Sequence, residues 1–159
     1  MDQLVDLIVQ KILQRQTAVL QVDCSQFDEK AHSVSDFTNH QQIQLQNVGA
    51  IQLAKLAKLD ANDAFTSWLL KGLELECEFS LQLAFAAVCL VPKELFTWPI
   101  TLKTKQGKKL QTFFQKVITY QDVALLTNED ALVLFRQQKM TALAQEELAK
   151  KKIQQIERF

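Results

Sequence analysis

Between residues 42 and 83 the spacing of the apolar residues changes from a period of two to a helical period and back again. The alternation in residues 42–48 predicts a β-strand, and so does the longer alternation in residues 75–83. The apolar residues between them predict two helices, of which the second is capped by Asp60 or Asn62 and ended by Gly72. Because a strand, a helical layer and a second strand follow one another, this region predicts an α/β fold.

The rest of the chain adds further predicted helices and strands. We predict a strand in residues 17–23, a short helix after Pro92 and a hairpin that turns at Gln106-Gly107. A strand in residues 130–136 and a helix capped by Thr141 follow, and a short final strand would fit residues 153–156. The predicted fold class is α/β: a single domain in residues 17–159 with helices layered on a mixed sheet.

Residues 1–16, MDQLVDLIVQKILQRQ, predict an N-terminal amphipathic helix in front of this domain. Six aliphatic side chains share one broad face of the helical wheel, and Leu7 lies outside that face. The six are Leu4, Val5, Ile8, Val9, Ile12 and Leu13. Lys11 and Arg15 lie within or after the apolar part and no small-residue cleavage site follows, so we expect no secretory signal.

Charge and composition narrow the function classes. The formal net charge is zero, whereas a general nucleic-acid binder needs an excess of Lys and Arg. The longest apolar stretch, residues 83–91, is far shorter than the roughly 20 residues that cross a bilayer. The three cysteines stand far apart, which is typical of reduced thiols in a cytoplasmic protein. We therefore expect neither a nucleic-acid nor a membrane partner.

Few residues suggest a catalytic, phosphate-binding or metal-binding site. The three glycines are too widely spaced for a Gly-rich phosphate loop. A polar stretch after residue 23 could hold a metal site or a Cys–His pair, but its spacing matches no common motif and a solvated loop is the favoured interpretation. The candidate ligands in that stretch are Cys24, Asp28, Glu29, His32, Asp36 and His40.

Two charged clusters are interpreted in the same way. Glu74, Glu76 and Glu78 would share the solvent face of a strand, with a general acid–base role as the less favoured alternative. Four lysines surround the predicted hairpin turn, where a solvated turn is favoured over anion binding; they are Lys103, Lys105, Lys108 and Lys109. We therefore predict no catalytic, cofactor-binding or metal-binding residue.

A family resemblance comes from the later part of the chain. Residues 117–126, VITYQDVALL, contain Tyr120-x-Asp122 followed by Val-Ala-Leu-Leu, and a strand then leads to a helix start of the type Thr141-Ala-x-Ala144. In this pattern, and in the order of the earlier elements, the chain resembles the PduM family of propanediol-utilisation microcompartment proteins. The resemblance covers nearly the whole chain, strongly towards its end and loosely before Val48.

This resemblance implies a structural component needed for the assembly of a bacterial microcompartment, a protein shell that encloses diol dehydratase and its partner enzymes. It implies no established activity and no cofactor, and a cytoplasmic location within or attached to the compartment. Shell proteins or encapsulated enzymes are the implied partners. Residues 1–16 also resemble encapsulation helices in length, pattern and terminal position, so we expect partner docking through the six aliphatic residues named above.

Several alternatives stay open. The first helix could pack on this protein's own sheet, because the predicted strand in residues 17–23 follows without a linker. It could also lie on a membrane surface or pair with a second copy in a homo-oligomer. For the whole protein, the alternative is a flavin- or cobalamin-binding protein or enzyme housed in the compartment, against which the missing Gly-rich loop and the sparse histidines count.

Overall fold

The computed structural model describes residues 1–158. Within them it contains six α-helices and nine strands, connected by short 3₁₀ turns. The helices are α1 (Asp2–Thr17), α2 (Val34–Asn39), α3 (Ala50–Ala57), α4 (Ala64–Glu74), α5 (Tyr120–Val123) and α6 (Ala142–Lys151). The strands are β1 (Val19–Asp23), β2 (Gln42–Val48), β3 (Glu78–Leu83), β4 (Ile100–Lys103), β5 (Lys109–Thr112), β6 (Val117–Ile118), β7 (Asp130–Phe135), β8 (Lys139–Met140) and β9 (Gln154–Arg158).

Seven strands form one sheet, and their order across it follows the chain: β1-β2-β3-β4-β5-β7-β9. All neighbouring pairs are parallel except β4 and β5, which are antiparallel and form the hairpin predicted around Gly107. Gly107 has a φ of 88°, a conformation that glycine adopts without steric cost. The sequence therefore predicted the α/β class and the mixed sheet correctly.

Two apolar clusters cover opposite faces of the sheet. Leu132 and Val133 are adjacent in β7 and both fully buried, and consecutive strand residues point to opposite faces. Val133 joins the larger cluster with α2, α3 and α4, whereas Leu132 joins the smaller cluster with α5 and α6. Strand β7 is thus buried on both sides, which explains its nearly continuous apolar sequence.

Over strands β1 to β4 the face opposite the larger cluster is polar. Gln21, Gln44, Ser80 and Thr101 lie side by side in register across these four strands, and none of them is buried. They alternate with the buried residues of the same strands, as expected for a sheet covered on one side only.

Helix α4 has other boundaries than predicted. Its cap is Asp63, whose carboxylate accepts a hydrogen bond from the Thr66 N–H at 3.0 Å, and not Asp60 or Asn62. Gly72 lies inside the helix and does not end it. The helix continues to Glu74, and the left-handed conformation that commonly follows a helix end occurs at Glu76, with a φ of 59°.

The reason for a glycine at position 72 is packing. A Cβ atom there would collide with the ring of Phe79 and lie 2.7 Å from Cε1 of Phe37. Because α4 extends this far, strand β3 begins only at Glu78, and Glu74, Glu76 and Glu78 do not share one strand face as predicted.

The polar stretch after β1 is more ordered than the solvated loop that we expected. It contains α2, whose start is stabilised by a capping box: Asp36 Oδ2 accepts from the Ser33 N–H at 3.0 Å, and Ser33 caps in return. Phe37 in α2 is 1% exposed. A single buried aromatic residue in a polar segment was too weak a periodic signal to predict this helix.

Candidate docking surface

Helix α1 forms where the sequence predicts it, and it buries none of its residues. Exposed fractions of the six predicted docking residues run from 47% at Val9 to 66% at Leu4, and Leu7 outside that face is 65% exposed. Helix α1 therefore does not pack on the protein's own sheet. Its aliphatic side chains form an unpartnered apolar surface, which we call the α1 face: Leu4, Val5, Ile8, Val9, Ile12 and Leu13.

The last turn of α1 holds the helix on the domain. The Arg15 guanidinium donates to the carbonyl oxygen of Phe37 at 2.8 Å and to that of Leu75 at 2.9 Å. These carbonyls lie near the ends of α2 and α4, where backbone acceptors have no partner within the helix and attract a cation. The Arg15 carbonyl in turn accepts from the Gln41 N–H at 3.0 Å, just before β2.

This attachment leaves the α1 face free. Within residues 1–158, only the last turn of α1 hydrogen-bonds to the rest of the chain, and residues 4–13 stay exposed. The sequence pattern did not predict the role of Arg15, because an arginine at the end of an amphipathic helix is ordinary and its partners lie 22 and 60 residues away.

The two buried cysteines are poor nucleophiles. Burial raises the pKa of the Cys24 thiol to about 12, with a smaller contribution from the Asp23 charge. Burial also raises the pKa of Cys77, although the adjacent Arg15 opposes that shift. A thiol must ionise to attack or to bind a metal, so neither site is set up for that chemistry near neutral pH.

The histidines of the polar stretch have structural contacts. His32 Nδ1 lies 3.3 Å from Asp36 Oδ2, and Trp68 Nε1 donates to the same oxygen at 3.3 Å. His40 Nδ1 lies 2.9 Å from the Asp36 carbonyl oxygen. Across residues 1–158 no three His, Cys, Asp or Glu side chains come together in a way that could hold a metal ion.

These contacts join α2 to α4. The His32 ring stacks on Phe27 with 5.1 Å between ring centres, and Trp68 is 7% exposed within the same aromatic cluster. The second tryptophan, Trp98, also packs against the larger core. These contacts of His32, Asp36 and Trp68 stabilise the packing of α2 on α4, and they pair no nucleophile with a base.

The lysines of the β4–β5 hairpin do not form an isolated cationic site. Lys103 and Lys109 are register partners in the two strands. Glu129 and Asp130 line the same shallow depression, so opposite charges share the surface.

An apolar cleft elsewhere on the domain was not predicted. It lies beyond the carboxyl ends of β1, β2 and β3 and has a volume of about 610 Å³. Ile51 and Leu90 line it with exposed fractions of 74% and 55%. One signal in the sequence was available, because Ile51 lies outside the face of α3 that carries the buried Leu53 and Leu56.

Comparison with known protein families identifies the family to which the chain belongs. A family model described as "Putative propanediol utilisation" (PDU_like) matches residues 3–154. No curated protein and no solved structure shows a significant match. No helix among the described residues is long and apolar enough to cross a membrane. Because the matched residues cover almost the whole sequence, the chain belongs to the propanediol-utilisation family PDU_like.

Proposed function

We propose that this protein is a non-catalytic assembly component of a propanediol-utilisation microcompartment, of the kind implied by its resemblance to PduM. It acts by docking the α1 face into an apolar groove of another compartment protein, a shell protein or an enclosed enzyme. The observation that carries the proposal is an amphipathic helix that buries none of its residues although its final turn is hydrogen-bonded to the domain. Membership of the propanediol-utilisation family supplies the metabolic context.

The energetics support docking through this surface. Full burial of one aliphatic side chain contributes about 1.5–3 kcal/mol, and the six residues of the α1 face start roughly half exposed. Their burial therefore offsets a substantial part of the roughly 4–15 kcal/mol that association costs in lost translational and rotational freedom. An isolated helix of this length is marginal in water, so its attachment through Arg15 lowers the cost of ordering it.

The arrangement of side chains supports a binding role over catalysis. The buried thiols have raised pKa values, and the polar groups around His32 are used in capping and packing. A visible absorbance band in the purified protein would contradict this part of the proposal, because it would reveal a flavin- or cobalamin-like ligand.

A co-purification experiment tests the docking role. We would express the double variant Ile8→Glu/Ile12→Glu in cells that form the compartments and measure how much of the protein co-purifies with them. Two charges in the centre of the α1 face cannot be buried without a partner, so we expect at least a tenfold loss of co-purification.

Leu7→Glu is the matched control. It adds one carboxylate to the same helix, at a residue of similar exposure outside the α1 face. We expect it to co-purify like the unmodified protein, and both variants to retain the unmodified melting temperature within a few degrees. Normal co-purification of the double variant, or an equal loss with Leu7→Glu, would exclude docking through this face.

A further inference from the structure

The apolar cleft is built from the segments that follow three parallel strands. Cys24 follows β1, Gly49 follows β2, and Phe85 lies just after β3. Because the carboxyl ends of parallel strands meet at the same edge of a sheet, these segments converge there. Ile51 in the first turn of α3 and Leu90 in a 3₁₀ turn complete the lining.

The cleft is an unusual surface for a small domain. Ile51 and Leu90 are both more than half exposed, and the residues that line the cleft include no charged side chain. Single exposed apolar residues are common, but a group of them in a concave surface is typical of an interaction site. A volume of about 610 Å³ can accept several aliphatic side chains.

The last turn of α1 is attached at the opposite, amino-terminal end of strands β2 and β3. This turn bonds to Gln41, which directly precedes β2, and to Leu75, which precedes β3. The seven residues of β2 separate this amino-terminal edge from the cleft by about 23 Å. No α1 residue is among those that line the cleft, and the α1 face stays exposed, so a copy does not fill its own cleft in this structure. The α1 face of a neighbouring copy is free to enter it.

We propose that the α1 face of one copy docks in the cleft of a second copy, head to tail. The inference rests on the α1 face of the proposed function and deepens it by naming a partner, a second copy of this chain. Because the two contacting surfaces are different, each added copy presents a new free cleft or a new free helix. A head-to-tail assembly that does not close into a ring therefore keeps one unoccupied α1 face at one end. That face remains free to dock on a compartment protein.

Charge at the rim of the cleft complements charge beside the α1 face. Asp23 accepts hydrogen bonds from the Ser25 hydroxyl at 2.6 Å and from the Asn47 amide at 3.2 Å, and both of these residues line the cleft. Hydrogen bonds from Ser25 and then Asn47 lower the pKa of Asp23, so its carboxylate is ionised at neutral pH.

Lys11 is the matching cation on α1. It follows Leu4 by seven residues and Ile8 by three, a spacing that places all three on one ridge of the helix. When Leu4 and Ile8 enter the cleft, Lys11 reaches its rim. Asp6 lies on the other border of the α1 face, beside Val9, so the charges also favour one orientation of the docked helix.

A mixing experiment tests the head-to-tail contact. We would measure molar mass by sedimentation or light scattering over a range of protein concentrations. The unmodified protein should form oligomers larger than a dimer as its concentration rises. Ile8→Glu disrupts the α1 face and Leu90→Glu disrupts the cleft, so each variant alone should remain monomeric. An equimolar mixture of the two variants should form a heterodimer of twice the monomer mass and stop there.

Three further variants guard against a folding defect and test the charges. Ile51→Gln replaces a 74% exposed side chain and should remove self-association if Leu90→Glu fails to fold. Lys11→Glu should weaken self-association about tenfold, and Asp23→Lys on the partner copy should restore most of it.

The outcomes are distinguishable. If the unmodified protein is monomeric at every concentration, or if Leu90→Glu and Ile51→Gln associate as well as the unmodified chain, the head-to-tail contact is wrong. The second result would indicate pairing of two α1 helices. Leu90→Glu keeps an intact α1 face and should still co-purify with compartments, so failure of this inference and failure of the proposed function give different results.

Discussion

Arg15 Nη2 donates to the carbonyl oxygen of Leu75 across 2.9 Å, between residues 60 positions apart in the sequence. Leu75 directly follows α4 as its C-terminal cap, so the bond ties the last turn of α1 to the end of a helix in the larger core. The position of the α1 face thus depends on one polar side chain that is not part of it.

Arg15→Ala should release α1 from the domain. We expect the free energy of unfolding to fall by about 1–3 kcal/mol, because two hydrogen bonds from a charged group are lost and two carbonyls lose their donor. Hydrogen exchange measured by mass spectrometry should become faster in residues 2–17, while β2 and β3 keep their protection.

Arg15→Lys provides the control for charge. Lysine keeps the positive charge but lacks the planar fork that reaches two acceptors, so we expect an intermediate loss of stability. Exchange rates in α1 unchanged by Arg15→Ala would contradict the anchoring role.

Gly72→Ala should destabilise the protein although alanine is the better helix former. The new methyl group would enter the contact of α4 with Phe37 and Phe79, and the cost of overpacking exceeds the gain of up to ~1 kcal/mol in helix propensity. We expect a net loss of roughly 1–2 kcal/mol in urea unfolding. Ser67→Ala, at an exposed position of the same helix, should have little effect. A Gly72→Ala protein as stable as the original would show that the rings can move aside.

Asp63→Ala should cost about 1 kcal/mol at pH 7, because it removes the cap of α4. Partial burial favours a higher pKa for Asp63, but hydrogen bonds from Thr66 and the Lys55 ammonium outweigh it and lower the pKa. A lowered pKa in the folded state means that this stabilisation is present above the unfolded pKa of about 3.9 and is lost as the pH falls through the folded value.

The difference between Asp63→Ala and the unmodified protein should therefore shrink below about pH 4, as measured by urea unfolding at pH 7 and pH 3. Asp60→Ala is the control, because Asp60 is the cap expected from the sequence but does not cap α4. An equal cost for Asp60→Ala at pH 7 would be evidence against the assigned cap.

The three cysteines should differ in reactivity. Cys89 is exposed, whereas Cys24 is 3% exposed with its pKa raised to about 12, and Cys77 is 5% exposed with a raised pKa. Alkylation by iodoacetamide at pH 8 should label Cys89 at least tenfold faster than the other two, as followed by peptide mass spectrometry. Faster labelling of Cys77 than of Cys89 would indicate that the α1 anchor opens readily.

Local patterns located many elements correctly. The alternation in residues 42–48 predicted β2 with its observed limits, and the hydroxyl of Thr141 caps α6 as expected. Helical spacing in residues 3–16 predicted α1. Such features are visible in the sequence because the side-chain periods of strands and helices are local properties of the backbone.

Contacts between distant residues decided what the patterns could not. From the sequence, Gly72 is predicted to end a helix. In the structure it leaves room for Phe79 of β3 to pack against α4. The composition of the polar stretch predicts a loop. In the structure Phe37 is buried in the core, and the capping box of Ser33 and Asp36 stabilises the start of a helix there.

The sequence by itself determined that α1 is an amphipathic helix and that an α/β domain follows it. Only the tertiary structure decided that the α1 face is free, because an apolar stripe has the same sequence whether it covers a core or awaits a partner. The bonds of Arg15 to Phe37 and Leu75 hold the last turn of that helix near the amino ends of β2 and β3. The cleft with Ile51 and Leu90 lies at the carboxyl ends of the same strands. That separation follows from how seven strands pair, which no local pattern of side chains encodes.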